Sequence, residues 1–485
     1  MESIWRTAQI DPANRLPYWP EFLKSARLAN EFLEPMVLRR YQSDILNQGG
    51  FCIVSPFSGD FIACESSTSF FRGQTAYFFP GSNAFWLLVQ YGSVSFGYPL
   101  TEVVFESRGE PQRIHLWRRN HPQTNITGSD IARLFVIANE TIDRSGKPGA
   151  ALIIGHENFA HHIWNELSAL EVWLASASDD VVARTPLKVT SEPLGPLHGL
   201  FPRLTAMRDR GRRKTLQSVP LRVRLGGQRV TTRVREILRR IAQERLELGV
   251  YKRYFDRFTN GNPKIWISVR HGSRTPDNQA DFIFAVISAI LQQYPDAVFV
   301  LDGFSFPVGF FHDPKTLPVR KIFLERAFID RRFISSLRER IENAYGTEAR
   351  ARLFSTEGLD VLDAISVAGL CTFYVCHAGT LQHKIGWVHD IPGIVHTAPD
   401  DHEYALWCSN FVEGAILPAF VPADLCISTS PPIHKQDIPR NYNYFIRDVD
   451  LAAQAVLDAM KLAPETFRHG TGLPLRMTNR PGGVT

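Results

Sequence analysis

The 485-residue sequence predicts an α/β protein: two Rossmann-like domains preceded by an N-terminal, partly β extension. Three observations carry that prediction. Short apolar runs such as Ala150–Gly155 and Lys264–Val269 alternate with segments of helical period, the pattern of a parallel sheet wound with right-handed crossovers. The alternation occurs in two successive regions, joined near residue 255. Ahead of them, residues 1–149 are rich in Phe, Gly and Ser and carry short alternating stretches with turn residues between them. The expected divisions are 1–149 for the β-rich module, 150–255 and 256–447 for the Rossmann-like domains, and 448–485 for a closing helix and flexible tail.

Taken in order, Phe51–Pro56, Thr75–Phe79, Ala84–Gln90 and Glu102–Ser107 read as strands of the first module. Ala150–Gly155 is apolar throughout, as a strand buried on both faces must be. His156–Leu174 follows at once as a helix, with Phe159, Ile163, Leu167 and Leu170 on one stripe. Pro186–Thr190 and Leu221–Leu225 are further strands, and Thr231–Leu248 is a basic amphipathic helix. The turn Asn260-Gly-Asn-Pro263 opens the second alternation. Its strands are Lys264–Val269, Ala297–Leu301, Ala351–Ser355, Thr372–Cys376 and Ile394–His396. Its helices are Asn278–Tyr294, Phe333–Ala344, Val361–Leu370 and His377–Val388, with Leu451–Leu462 closing the chain.

A content of 44% hydrophobic and 21% charged residues excludes disorder, collagen and coiled coil as descriptions of the whole. The longest apolar stretches, Phe282–Leu291 and Ala364–Cys376, fall short of the roughly 20 residues of a spanning helix. The opening residues carry no basic start with an apolar core. Six cysteines without a CxxC suggest neither a disulfide framework nor a zinc knuckle, so a reducing, cytoplasmic compartment is expected. The net charge of +5 is small, but Arg208, Arg210, Arg212, Arg213, Lys214, Arg222, Arg224, Arg229, Arg233, Arg235, Arg239 and Arg240 crowd one region. Such a run is either a solvated helix face or a patch for phosphates, nucleic acid or the inner face of an anionic membrane. No nucleic-acid-binding signature accompanies it.

In open parallel sheets ligands lie at the carboxyl ends of strands, so three junctions are the candidate site. Gly155-His-Glu-Asn-Phe-Ala-His-His-Ile-Trp-Asn-Glu166 is the most polar. His156 and His161 are five apart, about 140° round a helix, which does not make an HExxH zinc pair. His161 with Asn165, and His162 with Glu166, do share a face, and a histidine oriented by an amide or carboxylate suits a general base. Either histidine serves equally as a cap or core-lining residue. Arg270 and Arg274, leaving the strand at Val269, suit a bidentate clamp on a diphosphate. Asp302-Gly303 is placed to meet a sugar hydroxyl. Cys376-His-Ala-Gly-Thr-Leu-Gln-His383 is a small-residue turn entering a helix, where Gly379 admits close backbone approach and Thr380 supplies a hydroxyl to a phosphate. No GxSxG, P-loop or kinase pattern is present.

Three segments resemble the glycosyltransferase family 61 type, which includes capsular-polysaccharide proteins. Asn158-Phe-Ala-His161-His-Ile-Trp-Asn165-Glu-Leu167-Ser aligns with that family's N-Y-Y-H-W-L-L-D-x-L-P. Arg270, Arg274 and Asn278 match its strand followed by a spaced R, R and N, and His377-Ala-Gly379-Thr-Leu381-Gln-His383 stands against H-G-A-G-L-T-N, with only His377 and Leu381 identical. The motifs occur in the family's order between about Ala150 and Thr397. Departures are Asn165 for the aspartate, His162 for the tryptophan, Ser168 for the proline and His383 for the last Asn; Gly379 falls on the family's alanine.

The resemblance implies a GT-B-like fold and a metal-independent, inverting transfer of a hexosyl or pentosyl group from a nucleotide-sugar to a polysaccharide or lipid-linked glycoconjugate. No cofactor is implied, the nucleotide-sugar being a substrate. Donor and phosphate binding would fall to Arg270, Arg274, Asn278, His377, Gly379, Thr380 and His383. His161 or His162 would be the base with Glu166 in the catalytic set, and Asn158 and Asn165 would lie on the acceptor side. Three other readings stand beside it. They are a pyruvyl-type polysaccharide-modifying transferase, a non-catalytic glycan- or nucleotide-binding scaffold, and a nucleic-acid binder using the basic run.

Overall fold

The computed structural model describes residues 17–18, 20–21, 37–69, 74–80, 85–90, 103–105, 115–117, 149–208, 221–247, 262–379, 382–429 and 442–463. They belong to two compact units, Met1–Val234 and Arg235–Thr485. The first unit takes in both the β-rich module and the first parallel sheet.

Unit 1 starts with helix α1 (Arg40–Gln48) and the hairpin β1 (Cys52–Val54) and β2 (Phe61–Ala63). An antiparallel sheet follows in chain order: β3 (Ser66–Ser69), β4 (Gln74–Phe79), β5 (Phe85–Gln90), β6 (Val103–Phe105) and β7 (His115–Trp117). The parallel sheet has the order β10-β8-β9, from β8 (Ala150–Ile154), β9 (Leu187–Val189) and β10 (Leu221–Arg224). Every residue of β8, Ala-Ala-Leu-Ile-Ile, is buried because both faces are covered. The backbone edge of β10 is closed by side chains: Ser67 Oγ accepts from Arg222 N at 2.6 Å and donates to Arg222 O at 3.1 Å. Gln42 Nε2 of α1 donates to Arg224 O at 3.3 Å, which leaves less of that edge open for pairing with another chain.

Helix α2 (Ser168–Ser176) packs in unit 1, and α3 (Thr232–Glu247) begins where unit 2 takes over. Unit 2 is built on β11 (Lys264–Ser268), helix α4 (Gln279–Gln293), β12 (Val298–Asp302), helix α5 (Leu317–Ala351), β13 (Leu353–Ser355), helix α6 (Val361–Ala368), β14 (Phe373–His377), β15 (Gly393–His396) and β16 (Ala419–Phe420). All pairs are parallel, in the order β13-β12-β11-β14-β15-β16. A two-stranded ribbon, β17 (Cys426–Ser428) with β18 (Tyr444–Ile446), and helix α7 (Val449–Leu462) complete it.

Buried strands send alternate residues to opposite cores. Ile265, Ile267, Phe299, Leu301 and Val375 meet α4 and α7 on one face, while Trp266, Val300, Tyr374 and Val395 meet α6 on the other. The order runs outward from β11 to β13, then restarts beyond β11 with β14, so it reverses between β11 and β14. That reversal opens a crevice at the carboxyl ends of these two strands, where doubly wound sheets bind ligands.

One helix departs from expectation. The segment predicted as Phe333–Ala344 is the second half of α5, a 35-residue helix with a break at Gly346 (φ +86°). Leu317–Arg332 escaped notice because apolar residues there lie all round the helix and give no single stripe. No helix among the described residues is long and apolar enough to cross a membrane.

Candidate functional site

In unit 1 the chain leaves β8 through Gly155, whose φ of +117° is open only to glycine; a Cβ there would also lie 2.3 Å from Ser191 N and O. The turn lets two backbone N–H groups, of Gly155 and His156, donate to Glu166 Oε2 at 2.9 and 2.8 Å. His162 Nδ1 donates to the same oxygen at 2.7 Å, and Arg224 Nη1 donates to Oε1 at 2.8 Å. Burial alone would raise the Glu166 pKa, but the bonded His162, the Arg224 charge and the Gly155 N–H hold it below the ordinary value. Glu166 is thus a buried carboxylate with four donors, and the group it positions is His162. The ring of His162 is fully buried, and its Nε2 has no hydrogen-bond partner among the described residues.

His161 sits half-buried on the same helical entry. Asn165 Nδ2 donates to Gly227 O at 2.6 Å, which turns Asn165 Oδ1 toward His161 Nδ1, 3.0 Å away. Nδ1 must then carry the proton, and the Nε2 lone pair is the basic position of neutral His161. The neighbouring ring of His156, with centroids 4.8 Å apart, accepts from Asn158 N through its Nδ1 at 2.9 Å. Burial, reinforced by His161, pushes His156 down to about 4, so it is neutral near pH 7. Asn158, expected on the acceptor side, caps the turn Phe159–His161 with its Oδ1 accepting from Ala160 N. Asn165 is occupied in orienting His161. The helix relaxes to π geometry over His162–Leu167, a local widening that often accompanies functional sites.

In unit 2 three adjacent strands end in polar residues: β11 in Ser268, β14 in His377 and β15 in His396. Ser268 Oγ accepts from His377 N at 2.9 Å and lies 2.6 Å from His377 Nδ1. His396 Nδ1 and Tyr444 Oη are 2.5 Å apart, and the rings of His377 and His396 are 4.5 Å apart. Burial drives His377 well below its ordinary pKa and His396 down to about 3, so both rings are neutral. The Nε2 of His377 is buried and has no hydrogen-bond partner among the described residues.

The loop after β11 brings the two expected arginines together. Gln279 clamps the Arg270 peptide, accepting from its N and donating to its O, both at 2.9 Å. Arg270 Nε donates to Ser273 O at 2.7 Å. Arg274 adopts φ +60°, rare for a side-chain-bearing residue, and its Nη1 lies 2.7 Å from where a Cβ of Gly379 would stand; Arg270 Nη1 is 3.8 Å from that point. Gly379 itself has φ +107°. Burial, then the Arg274 charge, pushes Arg270 down to about 10; it stays a cation, held beside another. No carboxylate pairs with Arg270 among the described residues.

Other expected members sit elsewhere. Asn278 pins β18, donating to Ile446 O at 2.8 Å and accepting from Ile446 N at 3.1 Å. His383 is buried, stacked on Trp387 at 3.3 Å, and opens a second π-helical stretch, His383–Trp387. Thr380 lies outside the described residues. Asp302, expected to meet a sugar hydroxyl, is instead taken by Lys384 Nζ at 2.8 and 3.0 Å and by Thr356 Oγ1 at 2.8 Å. Sequence reasoning missed Ser268 and placed His396 only as the end of a strand in a polar stretch near the cleft; their position as last residues of apolar strands was the signal available. It also missed Arg224 as the partner of Glu166, which no spacing could reveal.

Several members of the basic run have internal partners. Arg235 donates to Trp387 O and Glu413 O at 2.8 and 2.6 Å and pairs with Asp390, which also meets Arg239 at 2.8 Å. Residues 209–220 lie outside the described set. Among the described residues, no group of three or more His, Cys, Asp or Glu side chains gathers in a metal-holding arrangement.

No protein-family model matches the chain, and no curated protein does. Solved structures give weak likenesses. One is UDP-GlcNAc 2-epimerase from Neisseria meningitidis bound to UDP-GlcNAc, 11% identical over 70% of this chain and 84% of that one, with a TM-score of 0.27. Another is α,α-trehalose 6-phosphate synthase from Burkholderia multivorans, 9% identical over 75% of this chain and 79% of that one, with a TM-score of 0.31.

Proposed function

We propose that the chain is a metal-independent, inverting glycosyltransferase that uses a nucleotide-sugar donor. The observation that carries this reading is the Arg270–Arg274 pair converging on the Gly379 turn at the β11/β14 reversal. Two cations held side by side without a carboxylate on Arg270 repel each other, and a diphosphate placed between them turns that repulsion into binding. In the transfer, an acceptor hydroxyl attacks the anomeric carbon. The bond from that carbon to the β-phosphate oxygen breaks with its electron pair on the oxygen, and the hydroxyl proton passes to His161 Nε2. The arginines stabilise the negative charge that grows on the departing diphosphate. Asn165 keeps His161 in the basic tautomer, and Glu166 fixes the turn around it.

Two measurements test this. Thermal shifts with UDP, GDP, CDP and dTDP, with and without EDTA, should single out one base, with stabilisation insensitive to EDTA and absent in Arg274→Ala. His161→Gln should keep that nucleotide affinity while turnover falls by about 10²–10⁴-fold. A panel with no stabilising nucleotide, or Arg274→Ala binding as the parent does, overturns the reading.

A further inference from the structure

We propose that the first half of α5, Leu317–Arg332, docks unit 2 on an anionic lipid surface. This goes beyond the transferase reading and does not depend on it. Leu317, Ile322, Leu324, Phe328 and Ile329 are each between 44% and 59% exposed on this one helix. At about 100° per residue Leu317, Leu324 and Phe328 fall within about 40° of one another; Ile322 and Ile329, seven apart, form a second row about 130° round, and the exposed Lys321, Glu325 and Arg332 lie on the ridge between them. The core-facing side of the helix is a separate stripe, Ala327, Asp330, Ile334, Leu337 and Ile341. The exposed apolar rows lie apart from that stripe.

The face is local. The helical wheel returns to the same azimuth after about 18 residues. There Leu317 is succeeded by Ser335, Ile322 by Arg340 and Leu324 by Glu342. The second half of α5 thus carries an ordinary polar exterior, whereas the first half sets exposed apolar rows on either side of a charged ridge.

Charge selects the occupant. Lys321, Arg326 and Arg332 are exposed on this stretch, against Glu325, which lies 4.0 Å from Lys321. Asp330 is turned inward, 2.6 Å from His271, and Arg331 is paired with Glu357 at 2.6 Å. Arg332 lies over the Phe328 ring at 5.9 Å and Arg326 over Phe304 at 5.9 Å, so two of these three cations sit against an aromatic ring. Apolar side chains interleaved with cations match the acyl boundary and headgroups of an anionic bilayer. A second copy of the chain would bring the same cations against one another. The Phe304, Phe306, Phe310 and Phe323 rings beneath the helix start give it a firm seat.

The test is co-sedimentation of the full chain with vesicles of phosphatidylcholine alone and vesicles partly replaced by phosphatidylglycerol. The chain should pellet with the anionic vesicles only, and added salt should release it. The double variant Leu324→Glu, Phe328→Glu should partition at least about tenfold more weakly while its melting curve stays that of the parent, both sites being exposed. The charge variant Lys321→Glu, Arg332→Glu should behave likewise. The proposal is overturned if the parent ignores anionic vesicles or if both variants bind them as the parent does. It is equally overturned if light scattering finds a dimer that Phe328→Glu dissociates, since the face then belongs to a second copy.

Discussion

In unit 1 the chain leaves β8 through Gly155 and enters a π-helical stretch at His162–Leu167; in unit 2 it leaves β14 through Gly379 and enters one at His383–Trp387. The parts are the same, but the charges are balanced differently. At the first junction a buried carboxylate collects four donors, and two histidines are oriented by fixed neighbours. At the second, two guanidinium groups face one turn, and no carboxylate pairs with Arg270 among the described residues. A self-satisfied junction holds a base in place, whereas two cations held side by side favour an anion between them. The comparison separates residues that build a site from residues that meet a ligand.

The strongest way to break the first half of that comparison is Glu166→Gln. It leaves Arg224 and two backbone N–H groups beside an uncharged amide, and removing one partner of a buried pair costs about 3–5 kcal/mol. Denaturant unfolding reads this directly, and a loss below about 1 kcal/mol would mean the carboxylate is not the anchor. At the second junction the expectation inverts. Arg270→Met removes a repulsive neighbour, so the ligand-free melting temperature should hold or rise. Nucleoside diphosphate affinity should fall by about 10- to 100-fold, the worth of a charged hydrogen bond. A variant that melts lower and binds normally would make Arg270 a structural residue like Glu166.

Gly379→Ala sharpens the same point more gently. Its φ of +107° and the 2.7 Å approach to Arg274 strain any Cβ, and about a tenfold loss of nucleotide affinity should appear by titration. The smallest effect is on pH. His156 and His389 titrate at about 4 and His396 at about 3, in each case because burial penalises the charged ring. The unfolded chain takes up these protons near the ordinary value of about 6.5, so it binds more protons than the folded chain as pH falls from about 6.5 toward 3. Stability should therefore decline across that window and stay flat above it, which melting curves at stepped pH will follow.

Much of the fold was legible because burial writes itself into local pattern. The expected strands Ala150–Gly155, Lys264–Val269, Ala297–Leu301 and Thr372–Cys376 lie within a residue of β8, β11, β12 and β14. Loop glycines marked the junctions. The helix Leu317–Arg332 was missed because exposed apolar residues lie on more than one side of it, and the period that announces a surface helix was erased.

Local pattern along the chain dictates the alternation of strands and helices, the polar junctions at strand ends and the pairing of His161 with Asn165 and His162 with Glu166. All of these follow from spacing along one element. Only the tertiary structure decided which polar groups are already engaged. Arg224 reaches Glu166 across 58 residues, Lys384 reaches Asp302 across 82, and Asn278 reaches Ile446 across 168. A hydrogen bond is satisfied by whatever the fold brings within about 3 Å, and that partner is a property of the packed chain.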